Sequence, residues 1–86
     1  MSAPTLEQVV AIVMRIAGPS RSPADAARDT LLAEGGFWLD SVHLLEAVLA
    51  CEEAFGVTFD PGSDFTDDTL RTVGTLLDLI RAKRSG

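Results

Sequence analysis

The sequence predicts an all-α domain of four helical segments, three long and one short, with a long loop between the first two. Two observations carry that prediction. Apolar residues recur at three- and four-residue spacings along three stretches, the period of one helix face. Residues that start and stop helices bracket those stretches. The 86 residues make a single small domain over positions 1–86. A chain of this size buries only about 60–65% of its unfolded surface, so its core is modest.

The first helix is expected over residues 5–17. Thr5, with Gln8 three residues on, makes a capping-box pattern. Leu6, Val9, Val10, Val13, Ile16 and Ala17 form its apolar stripe, and Gly18-Pro19 stops it. A connection over residues 18–39 follows. Loops that long are uncommon in compact domains unless functional or partly structured. Leu31, Leu32, Phe37 and Leu39 are its expected anchors, and residues 23–27 are a candidate turn of helix.

The second helix is expected over residues 41–55, ended by Gly56. Leu44, Val48, Cys51 and Phe55 fall on one side of it, the core side. Val42, Leu45 and Leu49 fall nearly opposite, interleaved with Glu46 and Glu53. The outer side of a surface helix is normally polar. The second stripe therefore reads as a docking surface, with cover by the long loop as the plainer alternative. Val57-Thr58-Phe59 reads as an extended connector and Asp60-Pro61-Gly62-Ser63 as a turn. Thr66, Asp67 and Asp68 predict a short helix over residues 67–70. Thr72 caps a last helix over residues 73–83, whose core face carries Val73, Leu76, Leu77 and Ile80. Arg81, Lys83 and Arg84 suit its C-terminal end, where cations complement the dipole. Gly74 inside it points to a close helix contact.

Charge is unevenly placed. The net charge is −6, and between Asp29 and Leu70 there is no Lys or Arg. An acidic middle repels nucleic acid and anionic membrane and steers basic partners toward it. The single cysteine, Cys51, permits no intramolecular disulfide, which fits a reducing, cytoplasmic setting. The apolar run near the start is broken by Arg15, too short to span a bilayer, and has no basic segment before it, so it reads as neither a membrane span nor a signal peptide. No zinc-ligand cluster, phosphate loop or basic helix stands out. The aspartates at 60, 64, 67 and 68 lack the glycine and terminal glutamate spacing of a calcium loop. The reading has no metal ligand and no catalytic residue: Ser41 and His43 are two apart on a helix and face different ways.

Asp40-Ser41 sits where a Gly/aromatic loop meets the second helix. An Asp there commonly caps the helix. Ser41 in the first turn then carries an exposed hydroxyl between an acidic and an apolar residue, poor equipment for a nucleophile and good equipment for a covalent attachment point.

The stretch Leu39-Asp40-Ser41-Val42-His43-Leu44-Leu45-Glu46, continuing through Cys51-Glu52-Glu53-Ala54-Phe55-Gly56-Val57, resembles acyl carrier proteins and related phosphopantetheine-bearing carriers. The resemblance implies a four-helix bundle of three long helices and one short. It implies a covalent 4′-phosphopantetheine on Ser41, beside Asp40, donated from coenzyme A by a phosphopantetheinyl transferase. It implies a monomeric, non-enzymatic, stand-alone carrier of acyl or aminoacyl thioesters, in fatty-acid-like, polyketide or other specialised biosynthesis. Its partners would be loading and processing enzymes with basic patches, docking on Val42, Leu45, Glu46, Leu49 and Glu53. Two departures stand out. The family usually has Gly where this chain has Trp38, and Leu where it has Val42; packing on cargo, shaping partner choice and anchoring the loop are all open to Trp38, and anchoring is its expected role. The alternative is a helical interaction module of carrier-like fold in which Asp40-Ser41 is only a cap.

Overall fold

The computed structural model describes residues 4–20, 22–23 and 25–85, and among them are four helices. Helix α1 is Leu6–Ala17, α2 is Ser41–Phe55, α3 is Pro61–Asp64 and α4 is Val73–Ser85. Each long helix starts where the sequence placed a cap. Thr5 Oγ1 accepts the Gln8 N–H at 3.3 Å, and Gln8 Oε1 accepts the Thr5 N–H at 3.0 Å, the reciprocal box that satisfies two orphan donors. Asp40 caps α2, which ends at Gly56 in the left-handed region. Thr72 and Thr75 exchange backbone-to-hydroxyl bonds of 2.9 and 3.1 Å at the start of α4.

Helix α1 packs against both α2 and α4. The shared core holds Val9, Ile12 and Val13 from α1, Ala47, Val48 and Cys51 from α2, and Val73, Leu76, Leu77 and Ile80 from α4. The radius of gyration, 11.7 Å, matches the roughly 12 Å of a compact chain this long. The result is a small helical bundle.

The short helix is not where the sequence placed it. Residues 67–70 form a single hydrogen-bonded turn, in which the Leu70 N–H donates to Thr66 O at 3.1 Å. Propagation stops there because the next residues pair elsewhere: Thr72 bridges to Leu31, and the Leu32 N–H donates to Arg71 O at 3.0 Å. The helical turn lies instead at Pro61–Asp64, the stretch read as a plain turn. Asp60 Oδ1 accepts the Gly62 N–H at 3.1 Å, and Pro61 brings a φ already set for a first helical position.

The long connection is structured by its own backbone. The N–H groups of Phe37, Trp38 and Leu39 donate to the carbonyls of Leu31, Ala33 and Leu32 at 2.8–3.0 Å. This knot leaves no space at Gly36, where a Cβ would lie 1.9 Å from Leu31 O. Leu32, Phe37 and Leu39 are buried as expected, while Leu31 is half-buried. The loop then docks on the start of α4. Gly74 makes the close contact anticipated for it, but with loop backbone and not with a helix: its N–H donates to Arg28 O at 2.8 Å, and a Cβ would come within 2.9 Å of that oxygen. The candidate turn of helix at residues 23–27 includes Ala24, which lies outside the described residues, as does Arg21; Ala26 and Ala27 are not helical.

Candidate functional site

The first turn of α2 is organised by Asp40. Its Oδ1 accepts the His43 N–H at 2.8 Å and lies 2.7 Å from His43 Nδ1, so one carboxylate oxygen holds both the backbone and the imidazole. Its carbonyl accepts the Leu44 N–H at 2.8 Å. His43 thus turns toward Asp40, and no hydrogen bond joins it to Ser41.

Ser41 is the first residue of α2 and is exposed. Its hydroxyl makes no hydrogen bond among the described residues. Neither the Ser41 nor the Val42 N–H has an acceptor among them. Such orphan donors, aligned with the helix dipole, favour a negative charge at this end.

Below Ser41 the two apolar stripes separate as the periodicity required. Val42, Leu45 and Leu49 are 64%, 47% and 51% exposed, and Glu46 and Glu53 are exposed between them. The loop does not cover this face. The opposite stripe is fully buried only at its centre, at Val48 and Cys51 with Ala47; Leu44 and Phe55 are half-buried. The two adjacent glutamates have different fates. Glu52 Oε2 accepts the Phe59 N–H at 2.7 Å and ties the connector to α2, whereas Glu53 points outward.

Four cations are engaged elsewhere, while Arg15 lines a surface hollow with Glu53. Arg28 pairs with Asp78 at 2.8 Å and Lys83 with Asp64 at 2.7 Å. Arg84 donates to Phe55 O at 2.8 Å and Arg81 to Pro4 O at 3.2 Å. Among the described residues neither Glu46 nor Glu53 has an ion-pair partner.

Trp38, the expected loop anchor, is instead 55% exposed, between buried Phe37 and Leu39. Its φ is 58°, in the left-handed region. That region costs a residue with a Cβ about 1–2 kcal/mol. No residue period reports this: the backbone bonds of the loop hold Phe37 and Leu39 inward and leave the side chain between them outside.

Cys51 is fully buried. Burial pushes its thiol up to about 12, against a smaller opposing pull from Arg15, so it packs as a small hydrophobe and not as a nucleophile. A cavity of about 340 Å³ lies beside α2, where Leu44, Leu31 and Phe65 meet Glu34, Asp67 and Arg71. Among the described residues no group of three or more His, Cys, Asp or Glu side chains is placed to hold a metal ion, and no helix is long and apolar enough to cross a membrane. Comparison of the chain with protein-family models, curated proteins and solved structures finds no match.

Proposed function

We propose that this chain is a carrier protein whose Ser41 holds a 4′-phosphopantetheine arm taken from coenzyme A. The observation that carries this reading is the start of α2: an exposed, unbonded hydroxyl on the first helical residue, with the Ser41 and Val42 N–H groups unoccupied beside it. These groups suit a phosphodiester, an anion at the positive end of a helix dipole. During attachment the Ser41 Oγ–phosphorus bond forms, the bond between the two phosphates of coenzyme A breaks, and the adenosine-bearing phosphate leaves. The serine proton goes to a base on the transferase, because His43 is turned to Asp40. When bound, the arm supplies a terminal thiol that carries acyl or aminoacyl groups as thioesters.

The chain itself supplies position and recognition. Val42, Leu45 and Leu49 offer apolar contact, and Glu46 and Glu53 offer exposed negative charge for enzymes with basic patches. Complementary charge speeds encounter more than it tightens binding, which suits a molecule that must be released by one enzyme to reach the next. The order of a first helix, a long loop, the Ser41 helix, a short helix and a last helix supports an acyl-carrier type of bundle.

A second reading is favoured by one observation. Asp40 caps α2 with a 2.8 Å bond, so it needs no other role, and the chain would then be a helical interaction module without an arm. Intact mass separates the two. Mixed with coenzyme A and a broad-specificity phosphopantetheinyl transferase, the wild type gains one phosphopantetheine, and Ser41→Ala gains none while its unfolding midpoint holds. No gain by the wild type, or a gain that survives in Ser41→Ala, overturns the carrier reading.

A further inference from the structure

We infer that Trp38 is a partner-contact residue that carries the docking surface of α2 past Ser41, so that the attachment serine lies inside the area a phosphopantetheinyl transferase covers. The inference rests on the carrier reading above. Trp38 is the only tryptophan in the chain. A small domain has little apolar area to bury, yet this large side chain is left 55% exposed while both neighbours are buried. Its φ of 58° is one that glycine adopts freely and tryptophan does not. Local structure explains why the position is held: the Trp38 N–H donates to Ala33 O at 2.8 Å, and the bonds of Phe37 and Leu39 lock the residues on either side. It does not explain why the side chain is an aromatic. A rigidly held, exposed aromatic loses little conformational freedom on binding, which is how such residues come to dominate interfaces.

Placement points to the occupant. No more than about 10 Å of chain separates Trp38 from Ser41. On the other side of Ser41, Val42, Leu45 and Leu49 run about 10 Å down the helix. Most enzymes that act on a carrier work at the far end of its arm. The transferase must bring its reacting centre to Ser41 Oγ, so it is a partner that must cover both sides of the serine. Glu46 and Glu53, which have no ion-pair partner among the described residues, give that partner's chemistry: an apolar surface flanked by Lys and Arg.

The single tryptophan makes the test direct. The chain is labelled with fluorotryptophan, giving one fluorine resonance, and titrated with the transferase in the absence of coenzyme A. The resonance shifts or broadens on binding. In parallel, the rate of arm attachment is measured by intact mass for wild type, Trp38→Gly and Trp38→Phe, with thermal unfolding of each. Trp38→Gly stays folded, because glycine suits the backbone, and loses about ten-fold or more in kcat/KM; Trp38→Phe keeps most of the rate. A resonance that does not respond to saturating transferase overturns the inference, and so does a folded Trp38→Gly variant within two-fold of wild type. Either result, with Ser41 still modified, leaves the carrier reading standing. Absence of modification in the wild type overturns both.

Discussion

Gly36 and Gly74 sit where loop backbone passes too close for a side chain. At Gly36 a Cβ would meet the Leu31 carbonyl oxygen at 1.9 Å, and no flexible atom can move aside. Gly36→Ala is therefore expected to cost at least about 3 kcal/mol in urea unfolding. At Gly74 the approach to Arg28 O is 2.9 Å, and Gly74→Ala is expected to cost about 1–3 kcal/mol. An unchanged midpoint for Gly36→Ala would mean the loop does not pack as described. Asp64 makes a different prediction. Its carboxylate accepts the Asp60 N–H at 2.6 Å and Lys83 Nζ at 2.7 Å, and these hold its pKa below the ordinary 3.8, the backbone bond most of all. A lowered folded-state pKa gives stability that is fully present above the unfolded value and is lost as pH falls through the folded one. Asp64→Asn should thus be less stable than wild type at neutral pH, and the gap should close as pH drops below 3.8 toward the lowered value. A gap independent of pH would remove the carboxylate's charge as its cause.

At the scale of elements, α2 pairs a buried stripe with an exposed one. Glu46→Lys and Glu53→Lys change exposed, unpaired side chains, so stability should move by no more than about 0.5 kcal/mol. On the proposed carrier reading, arm attachment to these variants should be slower than to wild type at low ionic strength, and the deficit should shrink in high salt, where screening already weakens the native attraction. Stopped-flow or quenched mass measurements at two salt concentrations read this; equal rates at low salt would remove electrostatics from docking. The long helices were legible because periodicity and caps agreed: Thr5 with Gln8, Asp40 and Thr72 each start a helix whose apolar face is inside. Ile12 and Ala47 join that core without standing in the expected stripes. The short helix was misplaced because two local signals competed, and a non-local one decided. Thr66-Asp67-Asp68 does start a turn, but the bridge from Thr72 to Leu31 ends it. That bridge joins segments distant in sequence, and no window of residues reports it. The site followed the same division: the opposed stripes on α2 come from period alone, whereas the outward turn of Trp38 depends on a knot of backbone bonds within the loop.

For the molecule as a whole, a chain of 86 residues has a total stability of about 4–13 kcal/mol. Leu76 is fully buried in α4, and Leu76→Ala should remove about 2–5 kcal/mol. That is a large share of the total, and the variant should be partly unfolded at mild urea concentrations. Leu45→Ala, on the outer face, should stay within about 0.5 kcal/mol of wild type. Circular dichroism melts of the two variants compare inner and outer stripes directly. Equal losses would mean that the outer stripe is covered in solution.

The buried cysteine has a practical consequence. Raising a thiol from 9.0 to about 12 cuts its thiolate fraction roughly a thousand-fold, and Cys51 is shielded from reagents besides. The native polypeptide is therefore almost silent to maleimides and disulfide reagents. Rapid labelling under native conditions would count only a thiol that the polypeptide does not encode, while labelling in denaturant would add Cys51 as an internal standard of one equivalent per chain. On the proposed carrier reading, the native signal divided by the increment on denaturation would give the fraction of chains bearing an arm with a free thiol, since an acylated arm does not react. The slow native labelling of Cys51 would in turn clock the opening of the bundle around it.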